Sequence, residues 1–203
     1  MDRDELMTDD FKKCVDFHGH ICGGLVFGYK AANAALEWLK ENRAQDEELV
    51  AIVENDACGV DAVQVLTGCT FGKGNFIYKD YGKLAFTFFS RKTGQGVRIS
   101  PKFRPNPSMS EEQKELFEKQ RNNIATQEEL ARLEALKTKK AFEILGKPVD
   151  ELFLITPAKV PIPEKARIEP STQCTRCGEP AMSTKMETID GKKVCQGCLD
   201  GNN

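Results

Sequence analysis

Cys174-x-x-Cys177 and Cys195-x-x-Cys198 are separated by seventeen residues near the end of a 203-residue chain. A two-residue gap lets both thiolates of a knuckle reach one ion, and two such knuckles make a closed tetrahedral S4 site. Gly178 after the first pair and Gly197 inside the second suit tight knuckle turns. The intervening MSTKMETIDGKKV reads as a hairpin that turns at Asp190-Gly191. A module of about thirty residues is too short to fold on a hydrophobic core, so the metal supplies the missing folding energy. The spacing therefore predicts a zinc ribbon over residues 172–203. Two disulfides or two redox CxxC pairs would use the same thiols, but the spacing and a reducing compartment favour zinc. A closed S4 site is structural, and it leaves the ribbon free to bind protein, nucleic acid or a second subunit.

Upstream of the ribbon, VPIPEKARIEPS is proline-rich and predicts a linker at residues 161–171. That leaves residues 1–160 as one domain. The composition is that of a globular protein, with 40% hydrophobic and 30% charged residues. A net charge of -2 implies no broad basic field, so nucleic-acid binding is disfavoured; Lys185, Lys192 and Lys193 give the ribbon a local basic patch at most. Apolar runs such as LFLI are too short to cross a membrane, and the acidic start MDRDELMTDD is unlike a signal peptide. The expectation is a cytoplasmic protein.

Hydrophobic periodicity predicts helices over residues 4–16, 25–41 and 60–66. Ser110 with Gln113, and Thr126 with Glu129, are capping boxes that open two more, the second ending near Leu145 before Gly146 and Pro148. LVAIVE, NFIYK, KLAFTFFS, GVRIS and DELFLITPA read as strands, with NFIYK and KLAFTFFS as a pair across a turn at Asp80 to Gly82. PKFRPNPSMS is a proline-punctuated connector. The fold class is α+β, with a mostly antiparallel sheet packed with helices and the small ribbon appended.

The second chemical signal is FHGHICGGLVFGYKAA, residues 17–32, which contains both histidines of the chain. His18, His20 and Cys22 lie at i, i+2 and i+4, and in an extended segment they share one side. Cys22 sits before a predicted helix, whose dipole favours a thiolate. Cys58 has a matching position between strand and helix, with Asp61 in the first turn that follows. Two loops ending at two helix starts can converge on one metal, so His18, His20, Cys22 and Cys58 are candidate ligands of a second site. The bland alternative is buried thiols acting as small hydrophobes, the reading preferred for Cys14. TGCTFGKGN is not a phosphate-binding loop: the glycine spacing is one residue short, and Gly74 stands where Ser or Thr would hold magnesium. It reads as a tight loop that positions Cys69, with an anion nest at Lys73 as the other option.

FHGHICGGLVFGYKAA, NDACGVDAVQVLTGCTFGKGN and the CxxC…CxxC tail together resemble the FmdE family of formylmethanofuran dehydrogenase, in order and over nearly the whole chain. The family pattern is close to FHGHxCPG, and Gly23 stands here where proline is usual. The resemblance implies an α+β domain likened to the catalytic domain of glyceraldehyde-3-phosphate dehydrogenase, a C-terminal zinc ribbon and a homodimer. It implies a second metal at His18, His20, Cys22 and Cys58, with Asp61 and Cys69 nearby. The whole dehydrogenase uses a molybdenum or tungsten pterin held by another subunit, and this chain has no room for that cofactor.

Three functional classes follow. One is a metal-dependent, oxidoreductase-associated subunit, with zinc in the ribbon and an ion of unspecified identity in the N-terminal site. The second is a regulatory zinc-ribbon module that binds protein or nucleic acid. The third is a metal-delivery protein with a labile site.

Overall fold

The computed structural model describes residues 3–102 and 109–201. Residues 103–108, the middle of the proline-punctuated connector, lie outside the described residues. The chain divides into two compact units, Met1–Lys165 and Ala166–Asn203.

The first unit begins with α1 (Arg3–Leu6), α2 (Asp9–His18) and α3 (Gly23–Leu39). The sequence predicts one helix over residues 4–16; the structure breaks it at Thr8, whose hydroxyl accepts the Phe11 N–H and caps α2. Then come β1 (Leu49–Val53), α4 (Gly59–Thr67), β2 (Phe76–Tyr78), β3 (Phe86–Ser90) and β4 (Gly96–Pro101). α5 (Glu111–Arg121) and α6 (Gln127–Leu145) each start with the expected capping box, both of whose bonds are present. A short α7 (Val149–Leu152) leads into β5 (Phe153–Pro157).

The sheet has the order β2-β1-β3-β4-β5 and is antiparallel except for the β1–β2 pair, so the α+β reading with a mostly antiparallel sheet holds. The expected pairing of NFIYK with KLAFTFFS does not occur. β1 lies between them, because α4 carries the chain over to the far edge, where β2 runs parallel to β1. Period-two alternation gives the sheet two faces. Val53, Phe86 and Ile99 stand in one cross-strand row, and Ala51, Phe88 and Val97 in the next; all are buried with the helices in one core. The opposite face carries the row Ile52, Thr87, Arg98 and Thr156.

α3 is the central helix of that core. Its small residues Ala31, Ala32 and Ala35 are buried and let neighbouring elements approach closely. The tightest approach is to α4. A Cβ at Gly28 would lie 2.0 Å from the Gly59 carbonyl oxygen, and one at Gly59 would lie 2.9 Å from that of Gly24. The two helices thus meet backbone to backbone, which only glycine permits.

The loop TGCTFGKGN is an internally bonded turn. Asn75 is fully buried: its amide donates to the Leu49 and Asp46 carbonyls at 2.9 and 3.1 Å, and its oxygen accepts the Thr70 N–H. Lys73 donates to the Gly68 and Gln45 carbonyls, so its ammonium braces the loop rather than an anion.

In the second unit, β6 (Ser171–Gln173) pairs with β7 (Pro180–Met182), and β8 (Met186–Ile189) pairs with β9 (Lys192–Cys195), followed by α8 (Gln196–Leu199). The β8–β9 hairpin turns at Asp190 and Gly191, both with positive φ, as a two-residue turn requires. Its small core is made of cysteines around Val194.

Gly28→Ala is expected to lower stability by at least about 2 kcal/mol, because the new methyl overlaps main chain that cannot rotate away. A fall of about 5 °C or more in thermal midpoint, followed by circular dichroism, is the corresponding readout.

Candidate metal centre

His18 is the last residue of α2. The helix ends there because Gly19 adopts φ 90° and donates its N–H to the Val15 carbonyl at 2.7 Å. The chain then reverses into an extended Cys22, the N-cap of α3. His18, His20 and Cys22 therefore do not form the single extended row that the i, i+2, i+4 spacing predicts. The turn at Gly19 brings His18 back to Cys22 instead, with Nε2 3.8 Å from Sγ. The Cys22 Sγ also accepts the Leu25 N–H at 3.3 Å, a side-chain cap on α3.

Cys58 is the N-cap of α4 and makes no side-chain cap bond; its sulfur faces that of Cys22 instead. Asn55, at the end of β1, shapes the approach: its oxygen accepts the Ala57 N–H, and its amide donates to the Lys83 carbonyl. The glycine crossing of α3 and α4 sets the two caps beside one another. A Cβ at Gly24 would lie 3.7 Å from the Cys58 Sγ and 3.9 Å from the Cys22 Sγ.

The result is a cluster of three half-buried ligand groups. One ligand atom each from His18, Cys22 and Cys58 lies within 4.8 Å of the others. Asp61, one turn into α4, has Oδ2 2.7 Å from the His18 Nδ1. With Nδ1–H donating to that carboxylate, the Nε2 lone pair is left for an ion, the arrangement that orients metal-bound histidines. Burial and the neighbouring Cys22 sulfur both push the Cys58 thiol above its ordinary value. Two adjacent thiolates repel, and a dication between them reverses the sign of that interaction. The donor set therefore fits a borderline-soft ion such as zinc.

The structure leaves the other sequence candidates outside this cluster. His20 is exposed, its ring 4.4 Å from that of His18. Cys69 is fully buried behind the glycine loop, and burial raises its thiol to about 11. Cys14 is core, its thiol raised to about 12 by the same cause.

The ribbon cysteines form the second cluster among the described residues. Sγ–Sγ distances are 3.8 Å for both Cys174–Cys198 and Cys177–Cys195. N–H groups of Cys177, Cys195 and Arg176 bring the Cys174 thiol down to about 6, so it is largely thiolate at neutral pH. Four sulfurs around one point, three of them buried, fit a closed site.

A family model described as FmdE, molybdenum formylmethanofuran dehydrogenase operon, matches residues 17–154, the stretch that runs from beside His18 into the last strand of the sheet. The chain belongs to the FmdE family. Among solved structures, a protein from Syntrophus aciditrophicus described as tungsten formylmethanofuran dehydrogenase FmdE-like superposes with a TM-score of 0.59 at 25% identity, covering 94% of this chain and 90% of that one. A protein of Archaeoglobus fulgidus, named a probable S-adenosyl-L-methionine-binding protein, is 34% identical over 189 residues, 90% of this chain. The FmdE chain described here spans half the length of that relative.

Two features of the centre escape a reading of ligand types alone. One is the geometric role of Asp61, named from sequence only as a neighbour. The other is the Gly28–Gly59 contact; the Gly24-x-x-x-Gly28 spacing was its signal. Asp61→Asn is expected to preserve the fold and weaken binding at the His18 cluster by about 10- to 100-fold while leaving the ribbon unaffected. Competition with a chromophoric chelator reads both affinities.

Proposed function

We propose that this FmdE protein is a two-metal subunit, with a structural zinc in the ribbon and a second, functional ion held by His18, Cys22 and Cys58. The observation that carries the reading is the convergence of one imidazole and two helix-capping sulfurs within 4.8 Å. Three protein ligands with a further position open is the pattern of a catalytic site, whereas four sulfurs make a closed one. His20, exposed at the rim beside His18, would be the residue able to offer such an ion a fourth ligand. A bound ion would supply Lewis acidity or an activated water there. The chain's own part is to hold that ion: Asp61 fixes the imidazole, the Leu25 N–H orients the Cys22 sulfur, and Cys58 completes the set.

The family's tie to a formylmethanofuran dehydrogenase operon supports work beside an oxidoreductase that carries its own redox cofactor. In this reading the chain is a cytoplasmic homodimer that docks on such an enzyme. No helix among the described residues is long and apolar enough to cross a membrane. A second reading, metal delivery, draws on the half-exposure of all three ligand residues, since a site that hands on its ion must be reachable.

Metal analysis of the purified full chain is expected to give two ions per chain, falling to one in Cys22→Ser or Cys58→Ser. One ion in both wild type and variants would remove the second site. Cys174→Ser is expected to lose the other ion together with the ribbon's protection from proteolysis, because the ribbon folds on its metal.

A further inference from the structure

The sheet face turned away from the core carries a built cleft that the metal centres do not use. Its floor is the row Ile52, Thr87, Arg98 and Thr156. One wall is the β2–β3 loop, with Lys79 and Tyr81, and the other is the chain after β5, with Lys159 and Val160. The cleft is open to solvent on one side and has a volume of about 640 Å³, within the range of small-molecule sites.

Both walls are fixed. The loop is laced to the end of β1 by the Lys79 N–H on the Val53 carbonyl and the Lys83 N–H on that of Glu54, both under 3 Å. The chain after β5 is gripped by Arg91, whose two terminal nitrogens donate to the Pro163 and Glu164 carbonyls at 2.7 and 3.0 Å. The cleft therefore exists before anything enters it, which lowers the ordering cost of binding.

Its chemistry is specific in sign and shape. Glu54 is buried at the floor, with both carboxylate oxygens on the Arg98 guanidinium, and that hydrogen bonding holds its carboxyl below the usual range. That pair is satisfied internally. Lys79 and Lys159 are not: neither ammonium has a hydrogen-bond or ion-pair partner among the described residues. Three cations against one carboxylate give the cleft a local positive charge, on a chain whose net charge is -2. Around these charges the surface is apolar. Tyr81, Leu154 and Val160 are 61%, 54% and 53% exposed, unusually so for large side chains gathered in one concavity.

We infer that this cleft binds a small organic anion with a flat aromatic body, its charge taken by Lys79 and Lys159 and its ring laid on the sheet between Tyr81 and Leu154. An aliphatic or uncharged ligand would leave one half of that surface unmatched. The cleft is independent of the His18 centre, which sits among the helices that cover the other face.

The test is a fluorescence titration of the full chain with 8-anilinonaphthalene-1-sulfonate, an aromatic anion of suitable size. The expected result is one saturable site per chain, the same with and without bound metal. In the double variant Lys79→Gln/Lys159→Gln affinity falls about tenfold, the scale of losing two partly exposed charge contacts, with an unchanged circular dichroism spectrum. The uncharged parent amine, N-phenyl-1-naphthylamine, binds wild type and variant alike. Lys192→Gln/Lys193→Gln, on the ribbon, leaves binding of the sulfonate unchanged. Absence of saturable binding, or equal affinity in both double variants, overturns the inference. So does a dimer that excludes the probe and dissociates when Lys79 and Lys159 are replaced, which would make the face a subunit interface.

Discussion

The contact between α3 and α4 organises the molecule. Helices ordinarily pack with their axes 8–10 Å apart, separated by side chains. Here Gly24, Gly28 and Gly59 remove the side chains, and the two main chains touch. The caps of both helices, Cys22 and Cys58, are then carried to within ligand distance of each other. Each lies at the N-terminus of its helix. The site is thus a product of helix packing, and the sheet contributes by delivering the chain to Asn55 and the start of α4.

The two cysteine sites show opposite solutions to holding an ion. In the ribbon, backbone donors stabilise Cys174 as a thiolate and the sulfurs nearly fill the core of a unit too small to have another. In the N-terminal domain the core is complete without a metal, from Phe11 through Leu25 to Phe86 and Ile99. There the metal groups sit at the margin of the core, half-exposed, and their chemistry is set by neighbours: Asp61 on His18, and burial and Cys22 on Cys58. In the two-metal reading, folding depends on the ion in the first case and not in the second.

Much of this was legible in the residues. Knuckle spacing, the Asp190-Gly191 turn and both capping boxes depend on interactions within a few residues, and local sequence specifies those. The family resemblance also pointed at His18, His20, Cys22 and Cys58, of which His18, Cys22 and Cys58 lie together. What the sequence pattern missed was governed by distance. The i, i+2, i+4 spacing suggested an extended row, but α2 continues through His18 because its hydrogen-bond ladder is closed by Gly19 only afterwards. The strand after the glycine loop looked like half of a hairpin, yet it pairs parallel with β1 on the other edge, and only the path of α4 decides that. The cleft on the outer face was invisible for the same reason: Lys79, Arg98 and Lys159 come to one cleft only through the order of the strands and the path of the segments that follow β2 and β5.

A contact made entirely of main chain has a consequence for how such a protein can change. No side chain stands in the Gly28–Gly59 junction for a substitution elsewhere to reshape. Residues around it can drift in volume, each compensated locally, while the gap between the two helix caps stays the same. The ligands at the rim of that gap are under no such constraint. In the two-metal reading, exchanging one of them, sulfur for nitrogen or oxygen, retunes the site toward a harder or softer ion while the helix junction stays as it is.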